Sequence, residues 1–404
     1  MAVSASPRRT PLRILTAVPL CDGHDSAIVT INLELARHGV EVIYLGYHQS
    51  ASAIARAAVQ EDVHAIGLSS YNGGHLVFFR EVLAQLRAHG AADIPIFGGG
   101  GGTITPADER VMKRAGVNRI FFAGTPLPEI IATIRRDYAR PLKRDAKLRG
   151  DRGLARAITL AESAPRSSPP TARPPAARER APFVLGVAGP GGAGKSTLID
   201  ELTSRFLQKN PGRRLAILAN DPSHPDSGGA VLGDRVSAIY AQDDRVFFRS
   251  LATRGHLTGI SAAAPAAIDV LRRSGEFDLI FTESVGVGQE SDPFGVFRPE
   301  IKIVDATLYV LPPHYGGRIQ LQKIALLNGA DFVALNKCDD PRATTAKSEI
   351  AARLGANERP APLFATIAAQ HADAGVDRLY AAIADCAGLD ASGGEKPCQL
   401  QVHD

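Results

Sequence analysis

The chain has 404 residues, of which 45% are hydrophobic and 22% charged, so it can bury a sizeable core and is not a disordered chain. At roughly 100–200 residues per domain, this length predicts two or three domains. The 46 Lys and Arg residues and the 42 Asp and Glu residues leave a formal net charge of only +4. So small a surplus predicts neither a nucleic-acid partner nor a membrane partner.

The cysteines and the amino-terminal residues indicate the cellular compartment in which the protein is expected. The four cysteines form no C-x-x-C pair, so neither a zinc site nor a disulfide framework is indicated. No apolar signal core precedes the first predicted strand, and no run of about 18 apolar residues occurs. We therefore expect a cytoplasmic protein without a membrane segment, with a disordered arm over residues 1–11.

Residues 12–140 alternate five short β-rich runs with five amphipathic segments. The predicted strands are Leu12–Pro19, Val40–Gly46, Ala65–Ser70, Ile94–Gly98 and Arg119–Phe122. The predicted helices are Ala27–His38, Ser52–Gln60, His75–His89, Ala107–Ala115 and Leu127–Tyr138. This alternation predicts an α/β domain with a doubly wound parallel sheet in the flavodoxin-like (Rossmann-like) strand order 2-1-3-4-5.

Residues 141–182 have the composition of a basic, proline-rich linker. Six prolines fall between Pro165 and Pro182, with almost no large apolar side chain among them. Such a segment cannot build a core and should be extended and semi-rigid. We expect a short helix over Leu154–Ala161, in the part of the linker before Pro165, and place the boundary between two domains in this linker.

Residues 183–390 again alternate strands and helices and predict a second α/β domain. The predicted strands are Val184–Ala188, Leu215–Ala219, Leu279–Thr282, Ala306–Leu311 and Phe332–Asn336. Residues 391–404 show no periodicity and are expected to form a loose tail.

The clearest motif is the segment Gly189–Ser196, GPGGAGKS, which matches G-x-x-x-x-G-K-[ST]. It lies between an apolar and an amphipathic run, the strand–loop–helix context that a P-loop NTPase requires. Loop N–H groups and the helix amino end bind phosphate, while Lys195 supplies charge for the β and γ phosphates. A glycine-rich turn without a ligand is the disfavoured alternative. The predicted nucleotide-binding residues here are Gly191, Gly192, Ala193, Gly194, Lys195, Ser196 and Thr197.

The choice of base is indicated by Asn336-Lys337-Cys338-Asp339, which follows an apolar run. An Asp carboxylate can accept both the N1–H and the N2–H₂ donors of guanine, and adenine lacks this donor pair. Such a short motif is weak alone, but at the end of a late strand in a P-loop domain it favours GTP over ATP.

Acidic residues at two further strand ends predict a magnesium site. Glu283 and Asp221 each follow an apolar strand, and Ser196 offers its hydroxyl. Lys195 and Glu283 are therefore the first two predicted catalytic residues.

Two glycine-rich stretches, Ser227–Asp234 and Val285–Gln289, look like mobile switch loops. The glycines of the first stretch are also compatible with a simple turn. Gln289 is a candidate for positioning the attacking water and is the third predicted catalytic residue.

The end of the first strand places Asp22 and His24 at the carboxyl edge of the first sheet, where ligands bind. An Asp two residues before a His can fix its tautomer and raise the basicity of the outward nitrogen. A lone His cannot hold a bare ion but can ligate a cofactor that brings its own metal ring. An ordinary polar loop is the alternative.

The neighbouring strand ends are also compatible with a bulky cofactor. Ser69 and Ser70 end the third predicted strand, and the five glycines Gly98–Gly102 end the fourth. A stretch without side chains permits close approach of a large group, although it can also be only a flexible turn. Together the three strand ends favour a cofactor site.

Residues 12–138 resemble the cobalamin-binding domain of the adenosylcobalamin-dependent acyl-CoA mutases. That match rests on Asp22-x-His24, Ser69-Ser70 and Gly98–Gly102. Residues 183–390 resemble the MeaB-type G-protein chaperones of those mutases. The matching segments are GPGGAGKST, NDPSHPDSGGAVLGD, ESVGVGQ and NKCD. The two modules in this order resemble the front part of the fused isobutyryl-CoA mutases.

The resemblance implies a role for each matching residue. His24 would be the lower axial ligand of the cobalt and Asp22 its partner. The channel for the displaced nucleotide tail of the cofactor would be lined by Ser69, Ser70, Gly98 and Gly99. Magnesium would be held by Ser196, Asp221 and Glu283, and the guanine contacts would come from Asn336, Lys337 and Asp339.

The chain departs from the pattern in two ways. Ala27 stands where D-x-H-x-x-G has its Gly, and nothing after Leu389 resembles the TIM barrel that binds acyl-CoA. We expect the chain to bind adenosylcobalamin and hydrolyse GTP with Mg²⁺, and to isomerise acyl-CoA only with that barrel. The GTPase would gate cofactor loading and protection, the barrel domain or subunit would be a partner, and a homo-oligomer is expected.

Two alternatives remain open at this point. The chain is also compatible with a free-standing cobalamin carrier, chaperone or sensor GTPase that acts on a separate mutase subunit. A small-molecule P-loop kinase with an unrelated ligand domain is disfavoured by the N-K-x-D segment.

Overall fold

The computed structural model describes residues 11–20, 26–163, 181–256, 258–286, 292–315, 321, 324–357 and 360–391. The predicted disordered arm before residue 11, the proline-rich stretch 164–180 and the predicted tail after residue 391 lie outside the described residues. Among the helices that are described, none is both long enough and apolar enough to cross a bilayer.

The first domain is a parallel sheet with helices on both faces. Its strands are β1 (Arg13–Ala17), β2 (Glu41–Tyr44), β3 (Ala65–Ser69), β4 (Ile96–Gly99) and β5 (Arg119–Phe121). Its helices are α1 (Ser26–Arg37), α2 (Ala51–Gln60), α3 (His75–Ala88), α4 (Pro106–Ala115) and α5 (Leu127–Tyr138). These five strands lie in the order 2-1-3-4-5, which confirms the predicted topology.

Strand alternation divides the core of this domain into two layers. Successive residues of a strand face opposite sides, so Leu15 and Ile66 pack against α2 and α3. Ile14 and Phe97 pack on the other face, against α1 and α5. The position of a strand-end residue in this alternation therefore decides which helical layer it faces.

A helix, α6 (Gly150–Ser163), forms within the predicted linker. It is longer than the expected Leu154–Ala161, and Leu154 and Ile158 are buried in a core formed mainly by the second domain. Its apolar residues recur at helical spacing, which is why this basic segment packs instead of remaining extended.

The second domain is a seven-stranded parallel sheet. Its strands are β6 (Phe183–Ala188), β7 (Leu215–Asp221), β9 (Val246–Ala252), β10 (Leu279–Glu283), β11 (Ala306–Leu311), β12 (Phe332–Leu335) and β13 (Leu363–Ala365). Its helices are α7 (Lys195–Lys209), α8 (Ala264–Ser274), α9 (Ala343–Gly355) and α10 (Ala374–Ala387). The strand order is 13-12-11-6-10-7-9. All five predicted strands are present, and β9 and β13 are two further strands that the sequence pattern did not predict.

A short strand of the second domain, β8 (Ala230–Leu232), belongs to the first sheet. It pairs in parallel with the edge strand β2, with Ala230 opposite Glu41 and Leu232 opposite Ile43. The expected switch loop Ser227–Asp234 is therefore partly a strand. The physical reason is that the open edge of β2 offers unpaired N–H and C=O groups that a passing extended segment can satisfy.

Buried charges fill the junction between the two sheets. Arg13 pairs with Glu41 at 2.6 Å and with Glu61 at 2.7 Å, and all three side chains are fully buried. Arg254 pairs with Glu41 at 2.7 Å and with Glu162 at 2.7 Å. Burial alone would raise the pKa of Glu162, but the neighbouring arginines outweigh it and lower that pKa to about 2. Glu162 is therefore ionised, and its pairing with Arg254 is part of a chain of buried ion pairs at the junction.

Candidate functional site

The phosphate-binding loop connects β6 to α7, as the motif predicts. Helix α7 begins at Lys195, directly after Gly194. The Lys195 Nζ donates hydrogen bonds to the loop carbonyls of Gly189, at 3.2 Å, and Pro190, at 3.3 Å. Burial lowers the pKa of this ammonium, although Glu283 and Asp234 oppose the shift. The loop thus holds a buried cation at the place where a phosphate chain would lie.

Ser196 lies beside Glu283, one of three buried carboxylates whose charges interact. Its Oγ donates to Glu283 Oε1 at 2.9 Å. Burial raises the pKa of Glu283 to about 8, the negative charge of Asp234 adds to this, and Lys195 opposes it. The pKa values of Asp221 and Asp234 are also raised, in both cases mainly by burial. One lysine does not neutralise three buried carboxylates, so this site favours a cation.

The residues present fit a magnesium ion. Asp221 Oδ2 is buried and has no hydrogen-bond partner among the described residues. Carboxylates and a hydroxyl are the hard oxygen ligands that Mg²⁺ prefers. No group of three acidic, His or Cys side chains in the described part of the chain converges as a ready metal cage. This agrees with Mg²⁺ taking most of its ligands from phosphates and water.

Asp234 is a residue of this candidate site that was not predicted from the sequence. It falls at the end of the stretch Ser227–Asp234, which was interpreted only as a loop. The signal in the sequence was the apolar run AVL followed by Gly-Asp, a strand-length pattern with an acidic residue at its end. A three-residue strand is too short to be recognised from alternation alone.

The predicted base-reading segment directly follows β12, next to the phosphate loop. Asn336 donates from Nδ2 to the carbonyl oxygen of Ala193 at 3.0 Å. Its Oδ1 accepts from the backbone N–H of Ala368 at 3.0 Å. Lys337 and Asp339 are exposed on the same loop. The structure therefore brings Asn336 and the phosphate loop together and leaves the Asp339 carboxylate open to a ligand.

The second predicted switch loop begins against the phosphate loop. A Cβ on Gly286 would lie 2.6 Å from the backbone nitrogen of Gly191, so only glycine permits this approach. Gln289, the candidate for positioning water, lies outside the described residues.

In the first domain, Asp22 and His24 also lie outside the described residues. Ser69 and Gly99 face the layer of α1 and α5, as the strand alternation requires. Gly98 faces the opposite layer, where a Cβ would lie 2.5 Å from the ring of Phe79. Ser70 is buried and donates from its backbone N–H to the carbonyl oxygen of Gly99 at 2.9 Å. Of the three predicted channel residues that lie on strands, Ser69, Gly98 and Gly99, Gly98 is thus the one on the other face.

The layer between the sheet and α1 fits the polar part of a large cofactor. Thr16 Oγ1 and both side-chain polar atoms of Asn32 are buried without a hydrogen-bond partner among the described residues. Such atoms are costly unless a ligand or water satisfies them. Apolar side chains are exposed beyond the ends of β1, β2 and β3, at Leu20, Tyr47 and Tyr71. This edge therefore has exposed apolar side chains, and the α1 layer next to it has buried polar atoms that a ligand could satisfy.

Comparison with protein families matches both domains. Residues 154–399 match the family "Methylmalonyl Co-A mutase-associated GTPase MeaB". Residues 12–131 match the B12 binding domain family. The first family covers more than half of the chain and begins within α6, which agrees with the packing of that helix in the second core.

Curated relatives have the same two domains along their matched parts. The fused isobutyryl-CoA mutase of Cupriavidus metallidurans is 38% identical over 93% of this chain and 36% of its own length. The fused isobutyryl-CoA mutase of Geobacillus kaustophilus is 35% identical, with the same shares covered. The chain thus spans about a third of the length of these relatives.

Among solved structures, HypB from Helicobacter pylori, in complex with nickel, is 14% identical. It matches 53% of this chain and 92% of its own, with a TM-score of 0.38.

The sequence families, the strand topology and the phosphate-loop geometry agree with one another. The chain belongs to the MeaB family of mutase-associated GTPases, and a B12-binding domain precedes its GTPase domain.

Proposed function

We propose that this chain hydrolyses Mg²⁺-GTP and binds adenosylcobalamin, and that the GTPase gates loading and protection of this cofactor for an acyl-CoA mutase barrel. The observation that carries the proposal is the grouping of Lys195, Ser196 and three carboxylates beside the base-reading loop. The partner barrel is a further domain or a separate subunit, and isobutyryl-CoA is the substrate suggested by the relatives. We include a homo-oligomeric state in the proposal.

Different residues of the second domain would bind the phosphates, the base and the metal ion of Mg²⁺-GTP. Loop N–H groups and Lys195 bind and orient the phosphates, and the Asp339 carboxylate accepts the donors of guanine. Ser196, Asp221, Asp234 and Glu283 would hold Mg²⁺, in part through its water ligands. The ion would supply positive charge to the phosphate oxygens. Until it binds, the raised pKa of Glu283 keeps a proton in the site near neutral pH.

The first domain would hold the cofactor at the carboxyl edge of its sheet. His24 would ligate cobalt, with Asp22 fixing the orientation of its ring. Asn32 and Thr16 would satisfy polar groups of the nucleotide tail in the α1 layer. The cofactor would supply the radical chemistry that the mutase barrel uses.

The GTPase proposal is tested by phosphate release from GTP and from ATP, each with and without Mg²⁺. We expect Mg²⁺-dependent release from GTP and little from ATP, and loss of release in Lys195→Ala. Lys347→Ala, on the exposed part of α9, is the matched control. Equal rates with ATP would contradict the base assignment, and no release from either nucleotide would contradict the proposed GTPase activity.

The cofactor proposal is tested by mixing the chain with adenosylcobalamin, desalting it and recording the visible spectrum. We expect a retained, His-ligated corrin spectrum in the wild type and a shifted spectrum or lost pigment in His24→Ala. His89→Ala, at an exposed position after α3, is the control. Retention of the same spectrum by His24→Ala would contradict the cobalt ligand, and retention of no pigment would contradict binding by this chain.

A further inference from the structure

One short segment of the chain connects the proposed magnesium site to the first domain. It starts at Asp221, at the end of β7, and returns through β8 to Asp234. The backbone N–H groups of Gly233 and Asp234 face the Asp221 carboxylate and oppose the rise of its pKa. The strand β8 lies between these two points and is hydrogen-bonded to β2 of the first domain. The segment therefore contributes both to the proposed magnesium site and to the sheet of the first domain.

The residue after Asp234 is anchored on the first domain. Arg235 is buried, and its Nη2 donates to Gln60 Oε1, the last residue of α2, at 2.6 Å. Its Nη1 donates to the carbonyl oxygen of Phe248 at 3.0 Å and lies 3.4 Å from Glu61 Oε1. The guanidinium also lies over the ring of Phe248, 5.1 Å from its centroid.

The residues that accept hydrogen bonds from Arg235 are themselves held in place by other contacts. Gln60 Nε2 donates to the carbonyl oxygen of Val246 at 2.9 Å. The Glu61 carboxylate accepts the backbone N–H of Ser250 at 3.0 Å and pairs with Arg13 at 2.7 Å. A guanidinium held by such partners cannot shift without breaking buried hydrogen bonds, which costs more than it would in water.

We propose that Gln60 and Glu61 of the first domain are positioning residues for the GTPase site, acting through Arg235 and β8 on Asp234 and the N–H groups that face Asp221. The inference rests on the proposed function, because its ligand is Mg²⁺ bound with GTP. It assigns to the B12-binding domain a part in building the metal site of the other domain.

A thermodynamic consequence follows from this arrangement. If docking of β8 on β2 improves Mg²⁺-nucleotide binding, then Mg²⁺-nucleotide binding must strengthen that docking by the same free energy. The nucleotide state is thereby communicated to β2, which lies beside β1, the strand that leads to His24. Neither domain needs to change its fold for this coupling to operate.

The test compares the affinity for a fluorescent, non-hydrolysable GTP analogue with and without Mg²⁺. In Gln60→Met and Arg235→Gln, we expect the gain in affinity caused by Mg²⁺ to shrink roughly fivefold or more, the lower end of usual coupling between sites. Binding without Mg²⁺ should stay as in the wild type. Gln85→Met, the same substitution on α3 of the same domain, should keep the full gain.

A measurement on the wild type covers the case in which the variants fold poorly. Amide hydrogen exchange of residues 228–236 should slow when the Mg²⁺-bound analogue is added, and should slow less with the analogue alone. The inference would be overturned by an unchanged exchange rate, or by folded variants in which Mg²⁺ increases the affinity for the analogue as much as in the wild type. Either result would leave the GTPase proposal standing. A wild type that binds no analogue would contradict the proposed function, and the inference with it.

Discussion

At the scale of single residues, the two outer residues of the predicted base-reading segment differ in what their side chains contact. Both polar atoms of the Asn336 side chain are used inside the protein, by Ala193 on one side and by Thr366 and Ala368 on the other. Asp339 is exposed on the same loop. The motif predicted that both residues belong to the nucleotide site, but not that the first one mainly fastens the phosphate loop.

Substitution at these two positions should therefore have different effects. Asn336→Ala leaves a buried carbonyl and a buried N–H unpaired, which should lower the free energy of unfolding by about 1–3 kcal/mol. Asp339→Asn should leave stability unchanged, weaken GTP and strengthen xanthosine triphosphate, because an amide can donate to the second oxygen of xanthine. Chemical denaturation and nucleotide titration measure the two effects. Equal stability losses in both variants would contradict this division.

A second residue-scale prediction concerns His64, which lies at the start of β3. Burial lowers its pKa to about 4, with Asp62 opposing and Arg13 adding to the shift. Its Nδ1 accepts the backbone N–H of Arg13 at 3.1 Å, so the neutral ring is the folded form. The unfolded chain binds a proton near pH 6.5, so stability should fall as pH drops from about 6.5 to 4, by up to about 3 kcal/mol.

The variant His64→Asn isolates this contribution, since its side-chain oxygen can replace Nδ1 as an acceptor. Urea denaturation at intervals from pH 7 to pH 4 should show a shallower loss in His64→Asn than in the wild type. His89→Asn, at an exposed position, should follow the wild-type curve. Parallel curves for wild type and His64→Asn would contradict the assignment.

At the scale of elements, a helix or strand could be predicted where its hydrophobic pattern was long enough to show a period. All ten elements between residues 12 and 140 appear with bounds shifted by only a few residues, because each strand is apolar and each helix amphipathic. β8 and β13 have three residues each, too few to show alternation. β9 carries Arg249 and Ser250 in a fully buried strand, and the partners of these polar residues lie in the first domain and in α6, far away in the sequence.

Gly229 gives an element-scale prediction about the docking of β8. A Cβ there would lie 2.2 Å from the carbonyl oxygen of Ala36 and 2.9 Å from that of Val40, both backbone atoms. Gly229→Ala should therefore force β8 away from β2, lower the unfolding midpoint and raise hydrogen exchange in residues 228–236. Gly233→Ala is the control, because a Cβ there meets nothing within 4 Å and its φ of −110° suits alanine. Equal behaviour of the two variants would show that β8 does not pack as described.

At the scale of the whole molecule, the junction of the two sheets is the feature that the sequence could not predict. Arg13 donates to the carbonyl oxygen of Ser250 at 3.1 Å, across 237 positions of the chain. No local pattern encodes such a contact, and buried arginines in a sequence look like ordinary surface charges. The nucleotide motifs could be predicted because each is local in the sequence. The position of Asp234 near Lys195 and Glu283, in contrast, depends on how β8 docks.

This junction predicts the behaviour of a nicked chain. A protease site inserted within residues 164–180 would leave α6 on the amino-terminal fragment, with Leu154 and Ile158 still packed in the second core. The β8 pairing and the buried ion pairs would also remain, and buried pairs are screened little by salt. We expect the two fragments to co-elute on size exclusion in both low and high salt.

The same nicking experiment can separate the contributions to the junction. Glu61→Lys would place a cation against Arg13 and Arg235, both of which are buried, and a buried unpaired charge costs several kcal/mol. The nicked Glu61→Lys protein should therefore dissociate, whereas Glu81→Lys, at an exposed position of α3, should co-elute like the wild type. Dissociation of the nicked wild type would mean that the covalent connection, and not the buried charges and β8, holds the two sheets together.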